Sequence, residues 1–232
     1  MTDRPDVAGG VTAAADGGPD DKVRRQFAVD RLVAFSDGVF AIIITILVLD
    51  IRVPDLGSGQ SLRDSLDEVW PTLVSWVISF LLVGMYWVGH RSTFANVRYA
   101  DIPTVWLNLL FLLPISLVPY AASAIGGYPD DPLALHLYGL VLVAVTCVRV
   151  ILLAYLQRHP ALLWHPPGRE TRRLGQLAAA FPLLVYGVAM AVADASPALS
   201  RFLFFVVPGL YLLLVVLLRT DRRTRAAAED IS

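Results

Sequence analysis

Long apolar runs, each closed by charged or turn-forming residues, dominate this 232-residue chain. Runs of roughly 17–25 mostly apolar residues are long enough to cross the hydrocarbon of a bilayer as helices. The sequence accordingly predicts spans over residues 30–52, 69–89, 102–124, 133–156, 173–193 and 198–218. Pro71 falls near the start of the second run, where proline is tolerated. Pro114, Pro119, Pro182 and Pro208 lie inside later runs and predict kinks packed against neighbouring helices. The expected fold is all-α: a polytopic membrane protein with six transmembrane helices, as one domain over 28–219. Residues 1–27, rich in Asp, Gly, Ala and Pro, read as a disordered tail with no signal-peptide core, and 220–232 as a second solvated tail. The longest connection, 158–171, is a short basic loop, so any chemistry must sit within the membrane core.

Charge sorts cleanly by helix end. Lys22, Arg24, Arg25 and Arg31 fall on one side, followed by Arg91 and Arg98, then Arg158, Arg169, Arg172 and Arg173, then Arg219, Arg222, Arg223 and Arg225. The other side carries Arg52, Arg63 and Arg201 beside Asp55, Asp64, Asp67, Glu68, Asp130, Asp131 and Asp194. The positive-inside rule puts both termini in the cytoplasm, in keeping with an even number of spans, which places both on one side. Arg149 departs from this pattern because it falls inside the fourth span. It reads as an arginine that snorkels to headgroups or pairs with a neighbouring helix, with an ion-path role as the other possibility.

Composition agrees with a membrane protein. Hydrophobic residues make up 56% and charged ones 17%, whereas soluble domains are about one-quarter charged. The mean hydropathy is +0.61. The lone cysteine, Cys147, lies in an apolar run and reads as a small core residue. No Cys/His cluster has zinc spacing, and no Ser/His/Asp or paired-carboxylate arrangement supports an enzyme.

The first span carries the chemistry. Arg31, Ser36 and Asp37 occupy its first half, and from Gly38 to Leu49 only Thr45 is polar. Ionisable groups in a membrane helix are costly and normally face a protein interior or a water-filled path, close to a partner. At 3.6 residues per turn Ile42, Ile46 and Leu49 share a face with Thr45 beside it, while Asp37 lies more than a quarter turn away. That aliphatic stripe alone is what helix packing or lipid contact would also give. Partners for the polar face exist in Trp87 and His90 of the second span and in Trp106 and Asn108 of the third. Arg31, Ser36, Asp37, His90 and Asn108 come at similar depth, so a hydrogen-bonded cluster pinning three helices is expected. A proton relay or a metal site could use the same residue types. One histidine and one carboxylate are too few for a metal site, and no acidic ladder continues outward from Asp37.

The stretch Arg31-x-x-x-Phe35-Ser36-Asp37-Gly38-Val-Phe40-Ala-Ile42-x-Ile44-Thr45-x-Leu47-Val48-Leu49 resembles the transmembrane protein 175 family of potassium channels, in its short prokaryotic form. Tyr86-Trp87-x-x-His90 and Asn108-Leu-Leu-Phe-Leu-Leu-Pro114 are similar to that family's second and third helices. The resemblance implies a homotetramer in the bacterial plasma membrane, with the first helix lining a central pore, K⁺ as the permeant ion and no cofactor. It puts the constriction at Ile42, with Thr45, Ile46 and Leu49 further along. It puts an interhelical polar network at Arg31, Ser36, Asp37, Trp87, His90 and Asn108. The Thr-Val-Gly-Tyr-Gly filter of ordinary potassium channels is missing here, as it is in that family. Ile43 stands where the family often has a smaller residue. An apolar collar passes a partly dehydrated cation and penalises more tightly hydrated ions, which implies modest K⁺ over Na⁺ preference. Asp50 and Asp55 would raise the cation concentration at the outer mouth. Two other functions stay open: a proton-conducting channel or exchanger using Asp37 and His90, and a membrane scaffold without transport.

Overall fold

The computed structural model describes residues 19–49, 51 and 62–210. Expectations for residues 1–18, for Asp50 and Asp55, and for the chain beyond Leu210 lie outside the described residues. The elements run α1 (Pro19–Leu49), α2 (Leu62–Phe94), α3 (Ile102–Ile115), α4 (Val118–Gly127), α5 (Pro132–Arg158), a 3₁₀ turn (Pro160–Leu162) and α6 (Arg169–Ala191). A shorter apolar helix, α7 (Pro197–Leu210), follows. The protein is all-helical, with 5 spans long and apolar enough to cross a membrane among the described residues. One of them is α3 and α4 taken together. The sixth predicted span begins as α7.

Two boundaries differ from the sequence expectation for local reasons. Helix α1 starts at Pro19, inside the stretch read as a tail. The third span is two helices, broken at Ser116 and Leu117. Pro119 lacks an N–H, and its ring would clash with the carbonyl four residues back, at Ile115, so the chain ends one helix and restarts another. Ser116 closes the first piece by donating its N–H to the Leu112 carbonyl at 3.0 Å and its hydroxyl to Leu113 at 2.7 Å.

Helix α5 is the hub, packing against α3, α4 and α6, while α1 lies mainly on α2. Lipid tails are as apolar as leucine, so association depends on close packing and interhelical hydrogen bonds. Small residues bring α2 and α4 together. Ser75 donates to the Ala122 carbonyl at 2.8 Å and Thr72 to that of Gly126 at 3.3 Å. A Cβ on Gly126 would stand 3.2 Å from the Thr72 Cα, so a side chain there would force the helices apart. Deeper in, Ser79 and Tyr138 share a hydrogen bond at 3.0 Å, and Tyr86 and Thr146 one at 2.6 Å.

The loops confirm which helix ends lie together. At the arginine-bearing end Val97 and Leu163 form a β-bridge. Asn96 brackets His165 beside it, donating to its carbonyl at 2.8 Å and accepting from its N–H at 2.9 Å. Asp101 caps α3 there, accepting from the Thr104 N–H at 3.0 Å and from the Tyr155 hydroxyl of α5 at 2.5 Å. Burial pushes the Asp101 carboxyl up, but the hydrogen bonds from Thr104 and Tyr155 outweigh it and hold the group below its ordinary value. At the acidic end Arg201 binds Asp130 at 2.6 Å together with the Pro129 carbonyl, and His136 stands 3.8 Å from Asp194.

Candidate functional site

The two faces of α1 have opposite surroundings. Ser36, Phe40, Ile43 and Leu47, spaced three and four apart, are buried against the bundle. Ile42, Ile46 and Leu49 are 59%, 42% and 69% exposed, and Thr45 between them is exposed as well. The aliphatic stripe is therefore uncovered within one subunit. Ile43, by contrast, belongs to the core cluster that includes Leu82, Tyr86 and Phe111. The Thr45 hydroxyl donates back along its own helix, to the Ile42 carbonyl at 2.8 Å. With its hydrogen used in that way, the oxygen lone pairs remain as acceptors on the uncovered face.

The polar residues resolve into two separate groups. In the first, the His90 ring nitrogen Nε2 meets the Asn108 Oδ1 at 2.7 Å, and Asn108 Nδ2 donates to the Ser36 hydroxyl at 2.9 Å. Ser36 in turn donates to the Leu32 carbonyl at 2.9 Å. Every donor has one acceptor along this chain, which puts a hydrogen on Nε2 of His90 and crosses α2, α3 and α1. All three side chains are buried. Phe111 stacks on the His90 ring with 6° between planes and centroids 5.7 Å apart, and Phe40 packs against both. The second group is a pair: Trp87 Nε1 donates to Asp37 Oδ1 at 2.7 Å, and Arg91 lies over the Trp87 ring at 5.5 Å.

Arg31 joins neither group. It is exposed, and among the described residues no hydrogen bond or ion pair ties it to Ser36, Asp37, His90 or Asn108. Helix geometry accounts for this, since Arg31 lies about 140° around α1 from Ser36 and about 120° from Asp37. The single cluster of Arg31, Ser36, Asp37, His90 and Asn108 expected from sequence is thus corrected to a three-helix chain plus an Asp37–Trp87 pair. Trp106 points outward and is 62% exposed. The aromatic clamp of Phe40 and Phe111 went unread in the sequence. Its signal is the spacing: Phe40 falls four residues after Ser36, and Phe111 three after Asn108.

The fold and this site define a class: an α-helical membrane protein built of spanning helices, whose first helix is anchored on one face and bare on the other. Residues 31–119 match the family described as the endosomal/lysosomal potassium channel TMEM175. Through that segment the chain is similar to the TMEM175 family. A potassium channel of Streptomyces collinus is 37% identical over 135 residues, covering 58% of this chain and 63% of that protein. The human endosomal/lysosomal proton channel TMEM175 is 27% identical over 189 residues, covering 81% of this chain and 36% of its own. A crystal structure of a lysosomal potassium-selective channel TMEM175 homologue from Chamaesiphon minutus superposes with a TM-score of 0.73 at 29% identity. That likeness covers 81% of this chain and 98% of the other. The sequence match thus spans about three-fifths of the Streptomyces relative and about a third of the human one.

Proposed function

We propose that this chain forms a potassium-permeable cation channel of modest K⁺ over Na⁺ selectivity, with α1 of four copies lining a shared pore. One observation carries the reading: Ile42, Thr45, Ile46 and Leu49 are bare within the subunit while the opposite face of the same helix is fully packed. Four copies of that face around an axis would make a narrow apolar collar at Ile42. Such a collar excludes bulk water, and a hydrated ion that sheds part of its shell passes more easily when that shell is loosely held. The Thr45 oxygens, with their hydrogens turned to Ile42, would offer acceptors to a dehydrating cation. The polar chain Ser36–Asn108–His90 and the Asp37–Trp87 pair would hold α1 at a set rotation, so that the collar stays in register. In this reading Arg31 lies at the mouth of the assembly, outside the anchor. The protein is a channel and not an enzyme, and K⁺ is its permeant ion, with no cofactor involved. It would sit in a bacterial plasma membrane with its arginine-bearing ends, and both termini, facing the cytoplasm.

Proton conduction through Asp37 and His90 is the second reading, favoured by the name of the human relative. The bonding pattern weighs against it. Among the described residues His90 is hydrogen-bonded onward only through the carboxamide of Asn108, which does not carry a proton, and the chain ends on a backbone carbonyl. The experiment is a reversal-potential measurement on the reconstituted protein under K⁺/Na⁺ and pH gradients. Ile42→Asn should wet the collar, raising current and weakening selectivity. An Ile42→Asn protein identical to wild type removes Ile42 from the constriction. Current that follows the pH gradient with K⁺ absent favours protons, and no flux at all leaves a scaffold.

A further inference from the structure

We infer that one water molecule is held between His90, Thr93 and Arg149, making Arg149 of α5 a fourth anchor of the hydrogen-bonded chain that runs from His90 through Asn108 to Ser36. Arg149 lies nine residues before the end of α5, about 13 Å inside the helix end. A guanidinium at that depth requires a counter-charge or a polar partner. Among the described residues no hydrogen bond or ion pair reaches it. Its guanidinium lies across Gly89, the residue before His90, with one nitrogen 2.7 Å from where a Cβ would stand, so the glycine is what makes room for it. His90 itself is 3% exposed, and its Nδ1 is buried with no hydrogen-bond partner in the protein.

A cavity of about 10 Å³ is lined by His90, Thr93, Phe111, Arg149 and Leu152. That is about the space one water needs, and a buried water takes roughly two to four polar partners. The three polar residues of the wall offer complementary roles. The Arg149 guanidinium only donates. The Thr93 hydroxyl gives its hydrogen to the Gly89 carbonyl at 2.9 Å, so its oxygen can only accept. His90 turns its proton-bearing Nε2 to Asn108, which leaves a lone pair on Nδ1 of the neutral ring. A water that accepts from Arg149 and donates to Nδ1 and Thr93 uses all three groups. An anion would meet two lone pairs there, and a cation would meet the guanidinium. Arg149 also lines a larger cavity of about 440 Å³ whose other walls are mainly apolar, among them Met85, Ala178 and Val207. Exchange of the water with that larger space runs past the arginine side chain. With a carboxamide on one ring nitrogen and this water on the other, His90 is a neutral strut that ties α5 to α1, α2 and α3. The site is independent of which ion the pore conducts.

Two measurements on the full chain test the site. A density map fine enough to show ordered water should carry one water within hydrogen-bond distance of His90 Nδ1, Thr93 Oγ1 and the Arg149 guanidinium. Ring-nitrogen NMR of isotope-labelled histidine, in a His136→Gln, His159→Gln and His165→Gln background where His90 alone reports, gives the second. It should show the hydrogen on Nε2, and Nδ1 at the shift of a bare nitrogen that accepts a hydrogen bond. Thr93→Ile fills the cavity and Arg149→Leu removes the donor. Each should move Nδ1 to the shift of an unbonded nitrogen, whereas Thr93→Ser keeps the hydroxyl and should leave the signal in place. The two Thr93 variants decide the matter if Arg149→Leu fails to assemble. A hydrogen on Nδ1, an Nδ1 signal unmoved by Thr93→Ile, or one displaced equally by Thr93→Ser would overturn the proposal. A map that shows other ordered waters but none at Nδ1 would do the same. So would bromide occupying the cavity after exchange for chloride, which would make it an anion site.

Discussion

Asn108 holds three helices with one side chain, and Asn108→Leu isolates what that is worth. The substitution keeps the branched shape and opens no cavity; the bulkier leucine can only add overpacking to the loss. It deletes the acceptor of the His90 Nε2–H at 2.7 Å and the donor to Ser36 at 2.9 Å. Ser36 keeps its own bond to Leu32, so its hydroxyl is not orphaned. The His90 N–H is, in a site only 3% exposed, and an unsatisfied buried donor costs about 1–3 kcal/mol. Coupling energies between membrane helices average nearer 0.6 kcal/mol, because the unfolded helices find other partners in the bilayer. Together these give a loss of about 2 kcal/mol. For a chain of this length that lowers the melting temperature by about 4–8 °C. Thermal unfolding in detergent, followed by intrinsic fluorescence at one fixed scan rate, reads the shift. A double-mutant cycle with Ser36→Ala then separates the bond from the packing, since residues sharing a hydrogen bond should be non-additive. Melting within about 1 °C of wild type, or strictly additive Ser36→Ala and Asn108→Leu losses, would refute the network argument.

Other substitutions separate charge from hydrogen bonding. Asp37→Asn keeps an acceptor for Trp87 and should melt close to wild type, whereas Asp37→Leu should lose about 1–3 kcal/mol, measured in the same assay. If the two are equally destabilised, the negative charge matters and the Trp87 bond does not. Thr45→Val removes a hydroxyl that bonds only its own helix. It should leave stability unchanged while lowering K⁺ over Na⁺ preference in bilayer recordings; unaltered selectivity would take Thr45 out of the ion's path. Asp101 has a depressed carboxyl, so its stabilising contribution is full above the ordinary carboxylate value and fades as pH falls through the lower folded one. Tyr155→Phe removes one of its donors, so it should shrink that contribution and complete its loss at a higher pH, which unfolding curves between about pH 3 and 6 would show. Gly126→Leu should separate α2 from α4 and abolish folding, visible as loss of the monodisperse gel-filtration peak.

Much of this protein was legible in the order of its residues, because a bilayer leaves few options. Spanning helices must satisfy every backbone group internally, so length and hydropathy locate them, and arginine asymmetry sorts their ends. The paired loops at Val97–Leu163 agree with that sorting. Ser36, His90 and Asn108 could be named as partners because buried polar groups in lipid have to find one another. The break after Ile115 was signalled by its prolines, although not which residues would leave the helix.

Azimuth and reach were decided only in three dimensions. Arg31 and Asp37 are six residues apart in the sequence, and the rotation of α1 separates them by about a third of a turn. One ends outside the bundle; the other bonds Trp87. The bare stripe at Ile42, Thr45, Ile46 and Leu49 is as largely apolar as the buried one at Phe40, Ile43 and Leu47, and no periodicity rule says which faces inward. Packing against α2 makes that choice. Arg149 is the clearest case. Sequence marks it as a charge in the wrong place, but only the tertiary structure shows that Gly89 admits it and that an apolar cavity lies beside it.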